Sequence, residues 1–114
     1  MTQPIVSFSR KFQVWSYSVS HAQLLIRSPK DGQNSTQVDV LFKNVSGVLL
    51  PTLFDGLTIT EATCSEFDGL RETLSKTSKC FKLEGTNWQG AVAAGVVVWI
   101  ENDAEYYAES TLLS

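Results

Sequence analysis

Along residues 12–19 polar and apolar side chains alternate: Trp15, Tyr17 and Val19 share one side with Gln13, and Ser16 and Ser18 take the other. Period-two alternation is the signature of a half-buried strand. The next apolar set, residues 22–28, repeats it, with Ala22, Leu24 and Ile26 opposite Gln23, Leu25 and Arg27. Pro29, Lys30, Asp31 and Gly32 then supply turn chemistry, because Pro fixes φ early in a turn and Asp-Gly tolerates positive φ. Residues 37–44 alternate again, with Val38, Val40 and Phe42 inward and Gln37, Asp39, Leu41 and Lys43 outward. The two segments predict a hairpin with a loop longer than the two-residue types. Leu25 and Leu41 fall on its otherwise polar face, so either the same chain covers them or a partner does.

A short extended piece over 48–50 ends at Pro51, which cannot donate to a ladder and suits an edge. Residues 54–56 read as a turn and 57–62 as a strand. Over 65–76 the period changes: Ser65 and Asp68 resemble a capping box, and Phe67, Leu70 and Leu74 share one helical face. Residues 79–84 alternate once more, and Asn87 to Gly90 reads as a turn. From Val92 to Ile100 both faces are apolar, which predicts a central strand covered on each side, ending where Glu101, Asn102 and Asp103 reach water. The pattern predicts one α+β domain over residues 1–114, mainly antiparallel β. About six strands curl into a sandwich or partly open barrel with one short helix.

Charge refines this picture by position. Residues 1–82 carry +2 and residues 83–114 carry −5, all nine basic residues lying in the first part. An acidic C-terminal end argues against nucleic acid or an anionic membrane as partner. The start of the chain shows no basic-then-apolar export signal, and the longest apolar run is about half the roughly 20 residues a spanning helix needs. The expectation is a cytoplasmic protein with Cys64 and Cys80 as reduced structural thiols, their spacing fitting neither a zinc site nor a redox pair. Two glycosylation-type triplets, at Asn34 and Asn44, carry meaning only on an exported chain.

Candidate chemistry is sparse. His21 beside Ser18 and Ser20 is the only histidine, but no nucleophile-elbow or other catalytic signature accompanies it. Glu101, Asp103 and Glu105 would share a strand face at roughly 6–7 Å per step, too linear to wrap a calcium ion unaided. Tyr106 and Tyr107 beside those acids have the composition that protein interfaces favour. Lys76, Lys79 and Lys82 form a small basic cluster without an RNA-binding signature. No catalytic residue, cofactor or metal is expected. The functional expectation is a non-enzymatic interaction module that self-associates, most simply as a homodimer, or binds a basic protein such as a toxin. Its surface would use Leu25, Leu41, Glu101, Asp103, Glu105, Tyr106 and Tyr107. The alternative is a ligand-binding or enzymatic pocket inside the curled sheet, lined by Trp15, Tyr17, His21 and Trp88.

Overall fold

The computed structural model describes residues 3–62, 79–104, 108–110 and 112. They form eight strands: β1 (Val6–Ser18), β2 (Gln23–Ser28), β3 (Gln37–Lys43), β4 (Gly47–Leu49), β5 (Leu53–Ala62), β6 (Lys79–Gly85), β7 (Trp88–Ala94) and β8 (Val96–Asn102). All join one sheet in the order β4-β7-β6-β5-β1-β2-β3-β8, and every pair is antiparallel. The antiparallel β expectation therefore holds, but with eight strands instead of about six. Among the described residues there is no α-helix, and the helix expected over 65–76 lies outside them.

β1 is the longest strand because it serves both halves of the sheet. Its first part pairs with β5 and its last part with β2, and the register slips between Phe8 and Lys11 and again between Val14 and Ser16. Such bulges add local twist and bend a strand. The sheet therefore curls until its halves face each other across one core. Phe12, Leu24, Ile26, Val40, Phe42, Leu57, Ile59, Leu83 and Val92 are buried there, and Phe42 and Phe81 meet across it with ring centroids 5.8 Å apart. Fully burying each such side chain stabilises the fold by about 1.5–3 kcal/mol.

The expected central strand over 92–100 is two strands. The chain leaves β7, which lies between β4 and β6, bends at Gly95 and enters β8, which pairs with β3 at the far end of the sheet. Gly95 donates its N–H to the Lys43 carbonyl at 2.9 Å. An added Cβ there would sit 3.1 Å from Asn44, so the close approach favours glycine. Among the described strands β8 is consequently an edge, so the second half of the apolar run pairs on one side only.

The β2–β3 hairpin is in the expected register, with Leu25 opposite Leu41 and Arg27 opposite Asp39. This outward face is nonetheless buried within the chain itself, Leu25 at 1% and Leu41 at 0% exposure. Arg27 Nε and Nη2 donate to Asp39 at 2.7 and 3.2 Å, and the Arg27 guanidinium lies 4.6 Å from the Trp15 ring centre. Gln37, on the same side, keeps a buried Oε1 without a hydrogen-bond partner. The expectation of reduced thiols is overturned as well: Cys80 is disulfide-bonded, and the only other cysteine of the chain is Cys64. Among the described residues no helix is long and apolar enough to cross a membrane.

Candidate functional site

An open sheet ends in two edges, each presenting unpaired backbone N–H and C=O groups, and natural sheets blunt such edges with short strands, Pro, Lys or bulges. β4 is blunted: it has three residues, and Pro51 follows shortly after. β8 has none of these devices. It runs Val-Val-Val-Trp-Ile-Glu-Asn over seven residues, pairs with β3 without a register slip, and among the described strands has no neighbour on its other side.

The side chains of β8 sort by face. Val97 and Trp99 lie opposite Phe42 and Val40 and so point to the core side. Val96, Val98 and Ile100 lie opposite Lys43, Leu41 and Asp39 on the outward side. Among the described strands β8 is the last of the sheet, and Trp99 and Val96 are each 40% exposed. A β-branched and aromatic strand, one-sided and in regular extension, is suited to receive one more strand: the backbone supplies the ladder and the side chains select the partner.

One end of β8 is tied to neighbouring segments by side chains. Thr36 Oγ1 donates to Glu101 Oε2, and Arg10 Nη1 lies 3.9 Å from the same oxygen. Arg10 also donates Nε to Ser28 Oγ at 2.7 Å and Nη2 to the Thr36 carbonyl at 2.6 Å. This one guanidinium ties the first half of β1, the end of β2, the approach to β3 and the rim of β8 together. Past the rim, Ala104 N–H donates to Asn102 Oδ1 at 3.0 Å, a local turn that ends the strand.

The sequence-nominated residues scatter. Leu25 and Leu41 are buried, so neither is presented at the accessible surface. Glu101 and Asp103 are exposed at the β8 rim, whereas Glu105, Tyr106 and Tyr107 lie outside the described residues. Among the described residues no group of three or more His, Cys, Asp or Glu could hold a metal ion.

The four residues expected to line an interior pocket are not brought together. Trp15 covers Arg27. Tyr17 and His21 are exposed near the β1–β2 turn, with Ser18 Oγ and Ser20 Oγ 3.2 and 3.0 Å from His21 Nδ1. Trp88 opens β7 rather than a turn, packs on Phe54 at 4.5 Å and donates Nε1 to the Asp55 carbonyl at 3.1 Å. The cluster of lysines is partly spoken for, Lys79 lying 3.8 Å from Glu61 and Lys82 3.9 Å from Glu84.

Among the described residues, two open clefts lie along β1. An open cleft of about 590 Å³ runs past Ser7, Ser9, Asp55 and Glu84, and a second of about 470 Å³ past Ser9, Lys11, Asp31 and Asn34. Asp31 is held below the usual aspartate range because the Gln33 and Asn34 backbone N–H groups donate to its carboxylate. That carboxylate therefore shapes its own loop.

Sequence reasoning missed the β8 edge. The available signal was Gly95 in the middle of an apolar run, since an isolated glycine in a strand pattern marks a bend or close approach. No protein-family model, curated relative or solved structure matches this chain.

Proposed function

We propose that this domain is a non-enzymatic protein-interaction module that receives a partner strand along β8. The carrying observation is an edge of seven residues, free of Pro, Gly and Lys, with Trp99 and Val96 each 40% exposed. The acidic rim at Glu101 and Asp103 favours a partner strand whose nearby end is basic or uncharged. Leu25 and Leu41 have no part in this surface, because they are buried.

The test is selection of binders from a random heptapeptide library against the folded protein, mapped by amide chemical shifts. Peptides whose perturbations centre on residues 96–102 and that lose binding to Trp99→Lys support the reading. Binders that all map instead to His21 or to the β1 clefts refute it.

The working location is part of the same proposal. A disulfide at Cys80 suits an oxidising compartment rather than the expected cytoplasm, because cytosolic reductants keep thiols reduced. Thiol labelling of protein taken directly from its native source tests this: labelling of Cys80 without added reductant would return the module to the cytoplasm.

A further inference from the structure

We infer that the strand received by β8 is β8 of a second copy, paired antiparallel about a two-fold axis through Val98. This rests on the β8 edge being the working surface, and it names the occupant. The argument begins with self-complementarity. Antiparallel pairing about Val98 sets Val96 against Ile100 of the partner subunit, Val97 against the partner's Trp99, and Val98 against the partner's Val98. All five apolar residues of the strand then face apolar residues. Each pair also stays on one face of the continued sheet, because opposite residues in an antiparallel ladder share a side.

Charge points the same way. Glu101 is the only charged residue of the strand, and in this register it lies opposite the partner's Gly95, which has no side chain to obstruct it. A parallel arrangement in register would set the two Glu101 carboxylates side by side, which is unfavourable. The antiparallel one instead carries each acidic rim, Glu101 with Asp103, to the partner's other end, where Lys43 lies beside Val96. The two acidic rims are thereby kept apart.

The assembly also stops at two. The contact is the same surface on both copies, so it closes on itself. The other edge, β4, is three residues long and does not offer a second ladder of that length. One strand pair buries less than the roughly 800 Å² per partner of a standard interface, so a concentration-dependent dimer is expected, in the micromolar to millimolar range.

Sedimentation velocity of the full chain from about 1 µM to 1 mM, beside Trp99→Lys and Val96→Lys, reads the association. Wild type should move from monomer to dimer, and each lysine variant, its fold checked by circular dichroism, should weaken the dimer at least tenfold. The register is read by engineered cross-links. Val98→Cys should give a covalent dimer on mild oxidation, and Val48→Cys on the β4 edge should not.

A wild type that stays monomeric throughout overturns the inference, as does equal cross-linking from both cysteine variants. If heptapeptides still bind at residues 96–102 of a monomeric protein, self-pairing falls and the edge reading stands. If nothing binds there, both fall.

Discussion

Removing Asp39 should be among the most damaging changes to a polar side chain in this domain. Arg27 and Asp39 are 0% and 3% exposed, and two hydrogen bonds of 2.7 and 3.2 Å join them in a forked geometry. Asp39→Ala deletes the carboxylate and leaves the guanidinium charge in a dry site with the Trp15 face beside it. Breaking a buried ion pair from one side costs about 3–5 kcal/mol, because the remaining charge keeps its desolvation penalty. With a urea m-value of about 1.5 kcal/mol/M, that lowers the unfolding midpoint by about 2–3 M. The double change Arg27→Met with Asp39→Leu removes both charges together and should recover part of that loss. Raising sodium chloride to 1 M should leave the Asp39→Ala loss nearly unchanged, since buried pairs are poorly screened. Urea unfolding monitored by tryptophan fluorescence measures all three. A loss below about 1 kcal/mol for Asp39→Ala, or a double variant no better than it, would refute the reasoning.

Further outcomes follow from other sites. Gly85→Ala should destabilise by about 3 kcal/mol in urea unfolding, because an added Cβ would overlap Trp88 Nε1 and the carbonyls of Asp55 and Gly56, backbone that cannot easily yield. Asp31, lowered from the ordinary value of 3.8 by the Gln33 and then the Asn34 N–H groups, contributes stability that is present above that value and lost as pH falls through its lower folded value. Carboxyl NMR of the folded protein should place its midpoint below 3.8, and a midpoint at or above it would contradict the loop geometry. Cys80→Ser should cost about 2–4 kcal/mol, the usual contribution of a disulfide, and dithiothreitol should reproduce that cost in the wild type while leaving the variant unaffected.

How legible the fold was depended on whether each face of a strand had a different character. The β2–β3 hairpin reads correctly because its inward and outward sets differ, so the pattern fixes which residues oppose each other. The run from Val92 to Ile100 does not, since apolar residues on both faces carry no information about where a strand stops or which half of the sheet it joins. The early part of β1 escaped for a related reason: the slip near Arg10 shifts the phase of its alternation. Asp55-Gly56 has turn chemistry but lies inside β5, where pairing with β1 and a φ of 80° at Gly56 override local preference. Asn87, with φ 61°, marks the actual turn between β6 and β7. The Arg10 clamp was not legible, because its partners lie on segments distant in the chain that only the curl of the sheet brings together.

The bend at Gly95 also sets an order of events during synthesis. β3 emerges early, but the strand that covers its outer edge, β8, follows only after β4 to β7. At about 5–20 residues per second the ribosome takes roughly 3–10 s to span that interval. Throughout it the β3 edge is open and Phe42 lacks its neighbour Val97. A nascent chain paused before Gly95 therefore presents a sticky seven-residue ladder, and release from that exposure comes with the one strand that then leaves its own far side open.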